Sequence, residues 1–176
     1  MEWVAGNPAI MAALVIALAA AVTDARTRTI PNALVAAGAL AGCLLNGWTS
    51  GTAGLTRAAV GCLAGFCVFL PFFLLRGMGG GDVKLMAALG SCLGPLPILQ
   101  TALAASVAGA VMAIVVAIRH GVLARTMRGA GHLLGSWVTR GPRVSHELSL
   151  DNPSTLKIPY ALPIAFGALY VVCVTS

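Results

Sequence analysis

The chain has 176 residues, of which 59% are hydrophobic and 9% charged, whereas a soluble domain carries roughly 25% charged residues. The apolar residues come in long blocks, so lipid is the solvent for most of the chain, and spans of about 20 residues allow at most about six to eight crossings in one membrane domain, residues 1–176. The net charge of +6 comes without an aromatic-basic module, which speaks against nucleic acid and leaves anionic lipid as the partner of a basic face.

Six apolar blocks follow one another at about 9–23, 33–48, 58–75, 83–93, 97–118 and 160–174. They predict an all-α polytopic membrane protein of about six transmembrane helices. The first block follows Met1 and Glu2 without a basic n-region, so it reads as a retained span, not a secretion signal. Gly94 and Pro95 suit a tight turn between the fourth and fifth blocks. Segment 119–159 is the one long polar stretch. Its Val122, Leu123, Met127, Leu133, Leu134, Trp137 and Val138, interspersed with Arg125, Arg128 and His132, read equally as an interfacial amphipathic helix or as a solvated loop. His120, His132 and His146 lack metal-ligand spacing. Cys43, Cys62, Cys67, Cys92 and Cys173 lie in apolar stretches without a CxxC pair, so they read as packing residues and no zinc site or disulfide framework is legible. The 21 glycines fit closely packed membrane helices.

Placing the N-terminus outside puts segments 24–32, 76–82 and 119–159 inside. With Lys84 at the edge, that inner set holds Arg26, Arg28, Arg76, Arg119, Arg125, Arg128, Arg140, Arg143 and Lys157, ten of the 11 basic residues. Arg57 alone falls outside, in segment 46–57. The positive-inside rule therefore selects this orientation. It also brings Asp24, at the end of the first span, and Asp82, at the start of the fourth, to one side.

Of the five acidic residues, Glu2, Glu147 and Asp151 fall in the tail or the polar segment. Only Asp24 and Asp82 border the membrane core, where an ionisable group is costly and functional by default. For Asp82 the structural alternative is a helix N-cap, which leaves the run Gly79, Gly80, Gly81 unexplained. Such a run allows positive φ and lets another chain come close. For Asp24 the alternative is a topology anchor compensated by Arg26 and Arg28, at a helix C-terminus that disfavours an anion. Two carboxylates within about 3 Å share one proton and can hydrolyse an amide without metal or cofactor, one activating water while the other protonates the carbonyl oxygen. The helix ends favour the anion at Asp82 and the protonated form at Asp24. No GxSxG, HExxH, Walker or GxGxxG motif offers rival chemistry.

Three stretches together resemble the type IV prepilin peptidases. Asp24-Ala25-Arg26-Thr27-Arg28-Thr29-Ile30-Pro31-Asn32 resembles their first signature. Gly79-Gly80-Gly81-Asp82-Val83-Lys84-Leu85 resembles their GxGD motif, whose core is shared with presenilin-like proteases. Ile158 through Gly167 resembles their proline-containing last span. The resemblance implies that Asp24 and Asp82 are catalytic, with Gly79, Gly81, Lys84, Arg26, Pro31 and Asn32 as binding or supporting residues. It also implies a prepilin or pseudopilin substrate cut at the cytoplasmic side of the bacterial inner membrane, after a leader ending in Gly. Larger members insert a cytoplasmic domain with two CxxC pairs between the first spans. Here nine residues, Asp24 to Asn32, connect them, as in the short peptidases of Flp, or Tad, pilus systems. This departure speaks against the N-methylation that larger members add. Two other readings stay open: a small proton-coupled transporter relaying protons through the aspartates, and a non-catalytic pilus or secretion assembly subunit.

Overall fold

The computed structural model describes residues 7–75, 78–119, 121 and 160–174. Among them every regular element is an α-helix: α1 (Pro8–Thr27), α2 (Asn32–Leu74), α3 (Gly80–Leu93), α4 (Pro95–Arg119) and α5 (Ala161–Val174). Helices α1, α2 and α4 are long and apolar enough to cross a membrane. The amphipathic stretch expected within 119–159, with His132, His146, Glu147, Asp151, Lys157 and Pro159, lies outside the described residues, as do His120, Arg76 and Gly77.

Helix α1 starts where Asn7 accepts a hydrogen bond from the Ala9 amide at 3.1 Å and Pro8 occupies the first turn, the residue types this position favours. It buries Ala9, Ala13, Ala17, Ala20 and Asp24 and turns Met11, Val15, Leu18 and Val22 outward. Two stripes at helical spacing thus divide packing from lipid contact. The helix runs one turn beyond the apolar block and ends where Arg28 takes a left-handed conformation, φ 53°, its amide bonded to Asp24 O at 2.8 Å.

The second and third apolar blocks belong to one element broken at Gly51, whose φ of 58° and ψ of −137° are non-helical. A straight helix of 43 residues would reach about 65 Å. Yet Gly42 packs on Ser91 and Gly61 on Gly90, neighbours near the end of α3, so α2 folds back into two arms. This corrects the expected outward loop at 46–57: helix continues through it on both sides of Gly51. The arms meet at once, since a Cβ on Gly54 would strike the Asn46 carbonyl.

Helix α3 is the interior element. Ten of its 14 residues are buried, while α1, both arms of α2 and α4 pack around it. The contacts are backbone against backbone. A Cβ on Gly61 would land on the Gly90 carbonyl oxygen, and one on Gly65 on that of Met86, the close approach small residues permit in membranes. Gly94 makes the expected turn with φ 86°. Helix α4 buries Ile98, Ala102, Ala105 and Gly109, and α5 packs against α1 and α4.

Candidate active site

Asp24 sits in the last turn of α1, on its packing stripe, and is 7% exposed. Its Oδ2 accepts a hydrogen bond at 3.2 Å from the backbone N–H of Ala161, the first residue of α5. The first N–H groups of a helix have no partner within it. The positive end of α5 therefore offsets the unfavourable end of α1, a compensation absent from the local sequence around Asp24.

Asp82 is the third residue of α3, whose N-cap is Gly79. Asp82 is therefore not the N-cap that the structural alternative named: it reaches back to the Gly79 backbone, as an acid does at this position of a capping box. It precedes the apolar run 83–93 and is 9% exposed. Burial, and then the charge of Asp24, raise its carboxyl from the ordinary 3.8 to about 7, with the Gly79 hydrogen bond pulling the other way. Helix ends alone would put the anion on Asp82. Burial opposes that dipole and favours the protonated form at Asp82.

The glycine run works through missing side chains, not through positive φ. Gly79 has φ −72°, and the positive-φ glycines of the described residues are Gly51, Gly94 and Gly121. A Cβ on Gly79 would stand 3.2 Å from Asp82 Oδ2, one on Gly80 3.2 Å from the Phe73 ring, and one on Gly81 3.4 Å from Ile30 Cβ. The α1–α2 connection is thereby held close to the start of α3.

Two of the residues that the resemblance implies as supporting meet directly: Lys84 Nζ donates to Asn32 Oδ1 at 3.2 Å, tying the start of α2 to α3. Pro31 is the N-cap of α2, its carbonyl accepting the Leu34 and Val35 amides. Arg26 is exposed in the last turn of α1, and no contact joins it to the aspartates.

Reasoning from the sequence missed Tyr160. It lies one residue before the Asp24 contact, feels the charge of Asp82, meets the buried Phe69 edge-on at 6.4 Å between ring centroids, and backs onto Gly109, where a Cβ would sit 2.6 Å from the phenol oxygen. Its signal was its place within the proline-containing last span. The site thus offers two carboxylates, one backbone N–H and one phenol.

Fold and site define an apolar helical bundle with a buried aspartate pair where helices α1, α3 and α5 converge. Residues 11–114, which contain both aspartates, match the type IV leader peptidase family. The chain belongs to that family. It is similar to proteins named prepilin leader peptidase/N-methyltransferase from Burkholderia pseudomallei strains 1026b and K96243, each 41% identical over 106 residues, covering 56% of this chain and 34% of the relative. A protein of the same name from Klebsiella pneumoniae is 40% identical over 104 residues, covering 55% of this chain and 44% of the relative. The matches thus span about a third to under half of the curated relatives' length. No solved structure matches the chain.

Proposed function

We propose that the chain is a membrane aspartic endopeptidase that removes the leader of a type IV or Flp prepilin-like substrate, with Asp24 and Asp82 as its catalytic pair. The carrying observation is the pair itself: two buried acids from distant parts of the chain, close enough that Asp24 raises the Asp82 carboxyl. Family membership supports hydrolysis over the proton-transporter and assembly-subunit readings, and the proposal is confined to the peptidase step.

In this reading Asp24 takes a proton from water as the water oxygen adds to the scissile carbonyl carbon. Asp82 gives its proton to the carbonyl oxygen. Collapse of the tetrahedral adduct breaks the C–N bond, the proton on Asp24 passes to the leaving amine, and the adduct's hydroxyl returns its proton to Asp82. The missing side chain at Gly79 leaves the Asp82 carboxyl uncovered on that side for the substrate backbone. The six apolar blocks support six spans, and the basic residues support an external N-terminus and a site at the cytoplasmic face of the bacterial inner membrane beside anionic lipid.

The test is incubation of the purified protein in detergent with the cognate full-length prepilin, followed by mass analysis. A single cut after the leader is expected. An intact prepilin, with folded enzyme present, would overturn the proposal.

A further inference from the structure

Arg57 is the one basic residue that the charge distribution leaves on the outer side, and the structure gives it an occupation. A helix ends with four carbonyls that lack partners inside it, and leaving one unpaired in an apolar surrounding is costly. The last four of α3 are all satisfied. Gly90 O accepts from the Gly94 amide at 2.8 Å. Ser91 O and Cys92 O accept from the single side-chain amide of Asn46 at 2.9 and 3.1 Å. Leu93 O accepts from Arg57 Nη2 at 3.2 Å. Asn46 is 4% exposed and also donates to Gly42 O in its own arm, its two amide hydrogens being shared among three carbonyls. The guanidinium stem covers Gly94, where a Cβ would lie 2.5 Å from Nε.

We infer that Asn46 and Arg57, one from each arm of α2, form a clamp that closes the C-terminus of α3 and so sets the height of Asp82 at its other end. Three features connect clamp to site. Helix α3 is 14 residues long, about 21 Å, so it cannot span roughly 30 Å of hydrocarbon on its own and its depth must come from its neighbours. The glycine contacts against α2 are close, backbone on backbone at Gly61 and Gly65, and carry no directional hydrogen bond against sliding along the axis. Directional hydrogen bonds at the closed end do resist it. Asn46 and Arg57 are thus positioning residues. Their catalytic consequence rests on the peptidase reading, and their structural one does not.

The experiment uses the full chain in detergent with Cys43, Cys62, Cys67 and Cys173 replaced by Ala, leaving the buried Cys92 beside the clamp. Thiol labelling of Cys92 and the pH profile of prepilin cleavage are read on Asn46→Leu, Arg57→Met and Arg57→Lys. Asn46→Leu and Arg57→Met should label Cys92 at least about tenfold faster. They should lower kcat by about 10²-fold, the cost of misplacing a catalytic group by about 1 Å, with KM little changed and the pH profile displaced. Arg57→Lys, which keeps a cation able to reach Leu93 O, should recover much of both losses. Unchanged labelling and an unchanged pH profile in Asn46→Leu and Arg57→Met would overturn the clamp. Faster labelling combined with no prepilin cleavage by the parent protein would uphold the clamp and overturn the peptidase reading.

Discussion

Asp24→Asn separates chemistry from scaffold, because the structure gives one oxygen of the side chain a structural partner. The asparagine oxygen can still accept the Ala161 N–H that Asp24 Oδ2 accepts now, so α5 keeps its anchor. What disappears is a group able to take and return a proton. General acid or base help is worth about 10² to 10⁴ in rate, equivalent to about 3 to 5 kcal/mol of barrier, so single-turnover cleavage of a purified prepilin should slow by that factor with little loss of folded protein. Asp82→Asn should slow it as much, and the double variant should be little worse than either, because the pair acts as one unit. Asp24→Ala adds a second loss: it leaves the buried Ala161 N–H unpaired at about 1 to 3 kcal/mol, which should lower the unfolding temperature where Asp24→Asn does not. Glu147→Gln and Asp151→Asn should retain near-full activity. A well-folded Asp24→Asn protein maturing its prepilin within about threefold of the parent rate would refute the two-aspartate mechanism.

The raised Asp82 carboxyl makes stability depend on pH. The folded chain binds this proton more tightly than the unfolded one, so the contribution is full below the ordinary 3.8 and is lost as pH rises through about 7; thermal unfolding should show Asp82→Asn gaining on the parent at pH 8 relative to pH 5. Gly81→Val should abolish or severely reduce cleavage while leaving membrane insertion intact. Its Cβ would already touch Ile30, and the added methyls would push the α1–α2 connection off α3 at about 1 to 3 kcal/mol; near-normal turnover would show a loop without a packing role. In a cysteine-free background, Cys at Thr27 or Gly77 should be shielded from an impermeant thiol reagent in intact cells and Cys at Ser50 or Thr52 should react, whereas the reverse pattern would overturn the orientation.

Asp24 and Asp82 were legible in the sequence because a carboxylate bordering an apolar block has few structural uses. The helices were legible as apolar runs, and Gly94 as a turn. The helix through 46–57 was not. Thr49, Ser50, Thr52 and Thr56 give that segment the composition of a loop, yet Thr49 returns its hydroxyl to Leu45 O at 3.0 Å and Thr56 to Ala53 O at 2.9 Å, which lets a polar residue remain in a helix. Only Gly51 has to leave it. The roles at the start of α5 were hidden for a different reason. The partner of Asp24 is a backbone N–H 137 residues away, and an N–H carries no side-chain identity to read. The clamp was hidden likewise, since Asn46 and Arg57 recognise carbonyls of α3 and not its side chains.

The two aspartates approach each other from opposite kinds of helix end, and the surrounding architecture makes those ends electrically alike. Asp82 stands in the first turn of α3 with the Gly79 backbone beside it. Asp24 stands in the last turn of α1 but takes the first N–H of α5. Two helix N-termini, from α3 and α5, therefore lie beside the two buried aspartates. A carboxylate pair sharing one proton carries a single negative charge, and each N-terminus is worth roughly 0.3 to 2 kcal/mol toward holding an anion. A proton passed from water to one carboxylate, and from the other to a carbonyl oxygen, leaves the total charge of the pair unchanged. Fixed dipoles that hold one negative charge can then serve every step without rearranging. By this reasoning, α5 lends its N-terminus to the buried pair, and where that helix begins matters to the site.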